Sequence, residues 1–262
     1  MHGEVAIGVP GALGPDGIAR LAPVVERCGF AGLWVNDTPG GDALAGLAAA
    51  GSATTHLRLG AGVLPLDRRP AAEILRAVRA TGAPENRLTL GIGSGGARQG
   101  ALSRVRDAVT ALRDGTSAAV VVGALGPRMR ALAAEAADGV LLNWVTAAQA
   151  AEQAGSIRAA RVPAARVLVY VRTIVEEAAR PALETEADRY GAIPAYADNF
   201  ARLGIRPIHA TLPPPQGDLA TGVRAYLDGV DELVLRAVTP SGSVEELVRF
   251  VERAAESAAR LR

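Results

Sequence analysis

The sequence lacks lysine altogether and contains little cysteine, histidine or aromatic residue. Its 28 basic residues are therefore all arginines, and 27 acidic residues leave a formal net charge of +1. A single cysteine, Cys28, excludes an internal disulfide and a cysteine-based metal cage, and three scattered histidines argue against a zinc site. No stripe of arginines with interleaved aromatics is present, so we do not expect nucleic acid as a partner.

Long uninterrupted apolar runs are also missing, and no run reaches the roughly 18 residues that a membrane span needs. The chain starts directly on a strand pattern rather than on a signal peptide. Hydrophobic residues make up 49% of the chain and aromatics 3%, which predicts a core of small aliphatic side chains. These features favour a soluble, cytoplasmic protein that binds small molecules.

Short β-branched apolar runs alternate with longer segments rich in Ala, Leu and Arg. This alternation is typical of parallel βα units, and 262 residues is close to the roughly 250 of a (β/α)₈ barrel. We therefore predict an α/β fold, a TIM barrel in one domain over residues 1–262. The predicted strands are Glu4–Val9, Gly32–Val35, Leu57–Leu64, Arg87–Ile92, Ala118–Val122, Gly139–Asn143, Val167–Ile174 and Glu232–Val238.

Helical patterns fill the gaps between these strands, and the last helix is expected to begin near Ser243 and to continue to Leu261. The rhythm breaks once, between the seventh and eighth predicted strands, over Val175–Asp231. This elaborated segment is expected to decorate the barrel rather than to form a second domain. The other predicted helices are Pro15–Cys28, Asp42–Thr54, Ala71–Thr81, Ala101–Asp114, Arg128–Ala137, Ala147–Ala160, Ala182–Tyr190, Pro194–Leu203 and Asp218–Leu227.

The active site of such a barrel is built from loops at the carboxyl ends of the strands. Two of these loops suggest anion binding. Gly91–Gly96 is either a phosphate cradle of backbone N–H groups or an ordinary glycine-rich turn, and the segment alone favours neither. Gly126-Pro127-Arg128 favours an anion site more strongly, because Pro127 suits the first position of a helix whose N-terminus faces the mouth.

Two further loops carry polar or aromatic candidates. Asp37 either orders a ligand and transfers a proton or serves as an ordinary cap or turn residue. Asn143 and Trp144 either floor a pocket or pack at the rim. The sequence offers no Ser-His-Asp set and no evident carboxylate pair.

Five segments, taken together and in this order, resemble the luciferase-like monooxygenase superfamily. The similarity is to its branch that uses the deazaflavin coenzyme F420, as methylenetetrahydromethanopterin reductase does. A looser match surrounds Pro194-Ala195-Tyr196. The five matching segments are GFAGLWVND at 29–37, LRLGAGVLPL at 57–66, RLTLGIGSG at 87–95, GALGPRM at 123–129 and AADGVLLNW at 136–144.

The resemblance implies a flavin or deazaflavin bound at the barrel mouth, with a cis peptide bond between Gly62 and Val63 behind its ring. It places the coenzyme phosphate at the turn after strand five. From the residues and the resemblance together, we predict Asp37 as a catalytic residue and Thr38 and Trp144 as substrate contacts. The predicted coenzyme contacts are Gly62, Val63, Gly91, Gly93, Ser94, Ala124, Leu125, Gly126, Pro127 and Arg128.

The sequence departs from related deazaflavin enzymes at two positions. They often carry His after the strand-two Asp and Glu after strand one, where this chain has Thr38 and, approximately, Pro10. Three hypotheses follow: an F420-dependent oxidoreductase, an FMN-dependent monooxygenase, or a barrel that binds a coenzyme or metabolite without turnover. Because the chain has no lysine, Arg128 is the expected phosphate contact, and Arg128→Ala should weaken coenzyme binding by about 1.5–3 kcal/mol.

One helix suggests self-association. Asp42–Thr54 has no charged residue after Asp42, although an outer barrel helix normally presents a polar stripe to water. The general abundance of alanine could explain this depletion, but the helices Ala71–Thr81 and Ala101–Asp114 keep their charges. Luciferase-like proteins also tend to dimerise through early helices. The sequence therefore predicts a homodimer that buries this helix.

Overall fold

The computed structural model describes residues 3–96, 99–160 and 164–259, and it contains a closed barrel of eight parallel strands. All eight strands predicted from the sequence are confirmed, with ends that differ by at most one residue. One additional strand, β8, was not predicted. The strands are β1 Glu4–Pro10, β2 Gly32–Asn36, β3 Arg58–Pro65, β4 Leu88–Gly93, β5 Ala119–Gly123, β6 Gly139–Asn143, β7 Arg166–Thr173, β8 Thr211–Leu212 and β9 Glu232–Ala237.

Helices follow the strands as predicted and surround the barrel. The last one begins at Val244, where the Ser243 hydroxyl accepts the Glu246 N–H at 3.3 Å, and its predicted end at Leu261 lies outside the described residues. None of the described helices is long and apolar enough to cross a membrane. The helices are α1 Gly14–Arg27, α2 Ala43–Ala53, α3 Ala71–Thr81, α4 Ala101–Gly115, α5 Pro127–Ala136, α6 Ala147–Arg158, α7 Arg180–Gly191, α8 Pro194–Leu203, α9 Leu219–Leu227 and α10 Val244–Ala259.

The barrel closes through β1, which pairs with β2 on one side and with β9 on the other, and through β6, which pairs with β7. Strand β9 also pairs with β7, so β9 is the eighth strand of the barrel. The two-residue β8 pairs only with the end of β7, where Arg172 aligns with Thr211. The segment between β7 and β9 thus adds α7, α8, β8 and α9 at the carboxyl end of β7.

Two layers of apolar side chains stabilise the barrel. Aliphatic side chains of the strands and helices form a large shell outside it. Inside, a smaller cluster includes Trp34, Leu168 and Tyr170, with one or more members from most of the strands. Gly60 makes room for Trp34, because a Cβ at Gly60 would lie 2.3 Å from the indole ring.

A buried glutamate, Glu232, belongs to a group of ion pairs at the amino-terminal end of the barrel. Glu232 is 2% exposed and accepts hydrogen bonds from the indole N–H of Trp34 at 2.7 Å and from Arg166 at 2.8 Å. Beside it, Arg58 donates two hydrogen bonds to Glu4. These groups occupy the end of the barrel opposite the mouth, so they act on stability rather than on ligand binding.

Candidate functional site

The ends of β2 and β3 form one wall of the mouth. The peptide bond between Gly62 and Val63 is cis, as the family resemblance implied. The Asn36 side-chain amide donates a hydrogen bond to the Gly62 carbonyl, and the Asn36 Oδ1 accepts from the Tyr170 hydroxyl at 3.2 Å and from Arg236 Nε at 3.1 Å. Asn36, at the end of β2, therefore contacts residues of β3, β7 and β9 around this peptide unit.

Tyr170 reaches across the barrel beneath the same wall. Its ring is 3% exposed, and a Cβ at Gly62 would lie 3.0 Å from ring atom Cε2. A Cβ at Gly8 would lie 2.5 Å from the hydroxyl oxygen, so glycine is required there for the tyrosine to fit. Burial raises the pKa of Tyr170 far above its usual value, so the phenol stays protonated and donates to Asn36.

The predicted catalytic residue Asp37 lies in a network of ion pairs. Its carboxylate is 4% exposed and lies 3.1 Å from Arg68 and 3.8 Å from Arg69. It also accepts the Ala43 N–H at 3.3 Å, at the start of α2. The neighbouring Thr38 hydroxyl is buried and has no hydrogen-bond partner among the described residues. These contacts give Asp37 a structural role at the start of α2, whereas the Thr38 hydroxyl is left without a hydrogen-bond partner.

The glycines of β4 mainly provide space. A Cβ at Gly91 would lie 2.1 Å from the Ala61 carbonyl oxygen, and one at Gly93 would lie 2.9 Å from the Val63 side chain. In the following loop, the Gly96 N–H donates to the Asp67 carboxylate at 2.7 Å. The Ser94 hydroxyl is paired only weakly, with Gly95 O at 3.4 Å. An acidic side chain of the protein thus already occupies part of the cradle that the sequence offered as one alternative.

The turn after β5 begins a helix as predicted, with Gly126 as N-cap and Pro127 as the first helical residue. Gly126 supplies no side-chain cap, and the first helical hydrogen bond runs from the Arg130 N–H to the Gly126 carbonyl at 3.0 Å. The N–H groups of Arg128 and Met129 therefore have no helical acceptor. The free N–H groups and the positive end of the helix dipole both favour an anion at this turn.

Two arginines that the sequence did not indicate also reach this turn. The Arg128 side chain is exposed and donates no hydrogen bond to the described residues. Instead, Arg130 donates to the Leu125 carbonyl at 2.7 Å, and Arg202, from α8, donates to the same carbonyl at 2.9 Å. We call Leu125, Gly126, Arg130, Asn199 and Arg202 the α5 anchor.

The α5 anchor carries unbalanced positive charge. Within the described residues, no carboxylate lies at ion-pair distance from Arg130 or Arg202. Burial, and then the nearby charge of Arg202, lower the pKa of Arg130, and the more distant carboxylate of Glu152 offsets only part of this effect. Asn199 is 3% exposed, and its oxygen accepts from Arg202 while its side-chain nitrogen has no partner in the described part of the chain. This arrangement suits an oxyanion that accepts several hydrogen bonds.

Trp144, a predicted substrate contact, lies in a buried aromatic cluster. It is 1% exposed, has a φ of 55°, and contacts Tyr190 and Phe200 with ring centroids 5.1 and 5.8 Å away. A positive φ is uncommon for a bulky residue and is often found at functional sites. The Arg172 guanidinium lies 4.3 Å from the Trp144 ring centroid, so the indole helps to hold that arginine.

The mouth therefore combines a fixed peptide unit at the end of β3 with an anion anchor at α5. A planar ring against Val63 and a phosphate at α5 would use both features. Gly62, Val63 and the turn from Ala124 to Pro127 lie at the strand ends where the sequence predicted them. Sequence reasoning missed Asn36, Arg130, Arg172, Arg202 and Arg236. Arg172 and Arg236 could have been noticed as charged residues within otherwise apolar strands.

The sequence model of the luciferase-like monooxygenase family matches residues 4–103, which include β1 to β4 and the cis peptide bond. The family resemblance is confirmed for this part of the chain. No curated protein sequence matches. Solved structures share the fold over nearly the full length of the chain at low sequence identity.

An F420-dependent secondary alcohol dehydrogenase in complex with an F420-acetone adduct has a TM-score of 0.76 and 12% identity, with 100% of both chains covered. The coenzyme F420-dependent tetrahydromethanopterin reductase of Methanopyrus kandleri has a TM-score of 0.72 and 15% identity, with 99% of both chains covered. The oxygenating constituent of 3,6-diketocamphane monooxygenase from Pseudomonas putida, in complex with FMN, has a TM-score of 0.69 and 14% identity, with 98% of both chains covered. The chain is thus similar to oxidoreductases and monooxygenases of this fold.

Proposed function

We propose that this chain is an oxidoreductase that transfers a hydride between coenzyme F420 and a small organic substrate. The observation that carries the proposal is the α5 anchor, where free N–H groups lie beside two arginines that have no carboxylate at ion-pair distance among the described residues. The similar structures include two F420-dependent enzymes, with TM-scores of 0.76 and 0.72, and this supports F420 as the coenzyme.

The residues at the mouth fit a coenzyme that has a planar ring and a phosphate. The phosphate would accept hydrogen bonds from the N–H groups at the start of α5 and from Arg130 and Arg202. The ring would rest on Gly62 and Val63, whose position the Asn36 amide fixes. Gly91, Gly93 and Ser94 would border it, mainly by leaving space.

When bound, the coenzyme supplies the hydride chemistry, and the chain supplies binding and orientation. Asp37 acts in this proposal by holding the β2 loop, because its carboxylate is engaged by Arg68 and Arg69. Thr38 is left as the polar contact for substrate, since its hydroxyl has no partner among the described residues. Trp144 would contribute indirectly, by holding Arg172.

Two other functions fit specific observations. The α5 anchor would accept the phosphate of FMN as well as that of F420, which supports an FMN-dependent monooxygenase. Thr38 and Pro10 stand where related enzymes often carry proton-transferring His and Glu, which supports a barrel that binds a coenzyme or metabolite without turnover. Neither observation argues against coenzyme binding itself.

Titration of the purified protein with F420, FMN and riboflavin, followed by absorption and fluorescence, tests the proposal. We expect F420 to bind more tightly than FMN, and FMN more tightly than riboflavin, because riboflavin has no phosphate for the α5 anchor. Tight binding of FMN alone would support the monooxygenase. Bound coenzyme that no substrate panel reduces or oxidises would support the binding barrel. Failure of all three to bind would refute the proposal.

We also propose a homodimer formed through α2. The described part of this helix exposes only small side chains on its outer face, among them Ala45, Ala48, Ala49 and Ser52. Such residues allow a second helix to approach closely. The inner face, with Leu44 and Leu47, is buried against the barrel and α1, so the outer face is the one left for a partner.

A further inference from the structure

A second group of arginines lies in the mouth, on β7 and β9 rather than on α5. Arg172 and Arg236 are aligned in neighbouring strands, and both lie close to the carboxylate of Glu186 from α7. The Arg172 Nε donates to Glu186 at 2.9 Å, whereas the Arg236 Nη2 lies 3.7 Å from the other oxygen. We call these three residues the arginine pair and its bridging glutamate.

The charges of this group do not cancel. Two guanidinium groups face one carboxylate, which leaves a net charge of +1 in a partly enclosed space. The closest other side chains are neutral: Asn36 and Asn143 accept hydrogen bonds from the arginines, and the Tyr190 ring stacks on Arg172 at 4.6 Å. Uncompensated buried charge is unfavourable unless a partner balances it.

Positive charge nearby increases the imbalance. Arg189 lies 5.5 Å from the Tyr190 ring and adds a third, exposed guanidinium. Asp37, another acid at the mouth, is paired with Arg68 and Arg69, and Asp67 accepts the Gly96 N–H. Within the described residues, Glu186 is therefore the sole carboxylate that pairs with either arginine.

The two arginines differ in how much hydrogen-bonding capacity they have left. Arg172 is 3% exposed and is held by Glu186, by Asn143 and by stacking on Trp144. The Arg236 side chain is 14% exposed and donates through Nε to Asn36 and through Nη1 to the Ala237 carbonyl. Its Nη2 donates no hydrogen bond to the described residues, although a guanidinium has five donors. Arg236 is thus the member able to receive an outside acceptor.

We propose that Arg236 binds an acidic group of the substrate, a carboxylate or a phosphate, and that the enzyme therefore acts on small organic anions. This inference rests on the proposed oxidoreductase function and names its substrate class. Arg172 and Glu186 act as positioning residues: the arginine adds charge, and the glutamate holds both guanidinium groups in place. The α5 anchor remains assigned to the coenzyme.

Benzoate and its neutral analogue benzamide test the proposal, because they match in size and differ in charge. Binding is measured by ligand-observed NMR and thermal shift, with and without saturating F420 or FMN. We expect benzoate to bind and benzamide to bind at least about tenfold more weakly. Arg236→Gln should weaken benzoate binding about tenfold or more, which equals about 1.4 kcal/mol. Arg224→Gln, which removes an exposed arginine of α9, is the matched control.

The variant Glu186→Gln distinguishes an anion-binding role of this group from a purely structural role. If the group binds an anion, removing the carboxylate raises the local charge to +2 and should tighten benzoate binding, while Arg236→Gln weakens it. A purely structural role would make both variants less stable and neither would bind benzoate better. Equal binding of benzoate and benzamide, or no effect of Arg236→Gln, would overturn the proposal.

The coenzyme titrations distinguish a failure of the Arg236 proposal from a failure of the proposed oxidoreductase function. Should Arg236→Gln weaken F420 or FMN binding and spare benzoate, the arginine belongs to the coenzyme site and the substrate proposal is wrong. If no coenzyme binds the wild-type protein, the oxidoreductase function fails, while the benzoate measurements on the coenzyme-free protein still decide whether Arg236 binds anions.

Discussion

Replacing Arg202 by alanine should weaken coenzyme binding without unfolding the protein. In the proposed complex, Arg202 donates a charge-assisted hydrogen bond to the coenzyme phosphate. Such a bond contributes about 1.5–3 kcal/mol, so Kd should rise roughly 10- to 150-fold. Because Arg202 also donates to the oxygen of the buried Asn199, we expect the free energy of unfolding to fall by about 1–3 kcal/mol, which leaves the protein folded in the binding assay.

The assay is a fluorescence titration with F420, repeated with FMN and riboflavin. Riboflavin lacks the phosphate, so the loss for Arg202→Ala should be large for FMN and small for riboflavin. Arg128→Ala is the matched control, because it removes an exposed arginine from the same turn. From the sequence alone, Arg128 was the expected contact with an equal loss; from the structure, we expect a much smaller loss than for Arg202. A large loss for Arg128→Ala together with none for Arg202→Ala would refute the assignment of the α5 anchor.

Three further predictions concern assembly and stability. Ala48→Arg or Ala49→Arg should convert a dimer into monomers in light scattering, and a monomeric wild-type protein at micromolar concentration would contradict the α2 interface. Glu232→Ala should lower the free energy of unfolding in urea by about 1–3 kcal/mol, because it leaves the buried indole N–H of Trp34 without an acceptor; an unchanged midpoint would disprove this role. Burial would raise the pKa of Glu186, but Arg236 and Arg172 outweigh it and hold the pKa below its usual value. The ionised Glu186 carboxylate therefore stabilises the fold above about pH 4.3, and this contribution is lost as pH falls through the lowered pKa. When urea unfolding is measured at several pH values, the free energy of unfolding of Glu186→Gln should fall less in acid than that of the wild-type protein.

The barrel could be predicted from the sequence because its signals are local. Each strand is a short β-branched run between helical segments, and each run reappears as a strand of the structure. Pro127 marked the start of α5 correctly, since proline suits the first helical position. The two-residue β8 was missed because Thr211–Leu212 is too short to show any alternation and forms only by pairing with the end of β7.

The side chains of the site were harder to predict, because long-range contacts determine them. Arg128 is next to the anion turn in sequence, yet its side chain is exposed. Arg202 is 77 residues away from Leu125 and reaches the Leu125 carbonyl. The role of the β4 glycines was ambiguous for a related reason. Gly91 is needed because the Ala61 carbonyl of the neighbouring strand approaches it, and a local sequence pattern does not show which strand lies beside it.

The segment between β7 and β9 separates residues that contact ligands from the residues that form the barrel. The closed barrel forms from strands that contact their neighbours, whereas Glu186 and Arg202 reach the mouth from α7 and α8. Ligand preference can consequently change through insertions, deletions or substitutions in α7 and α8 while the barrel hydrogen bonds stay intact. A chimera that carries this segment from another barrel of the same fold would exchange binding specificity and keep the scaffold, which makes the segment a natural unit for engineering.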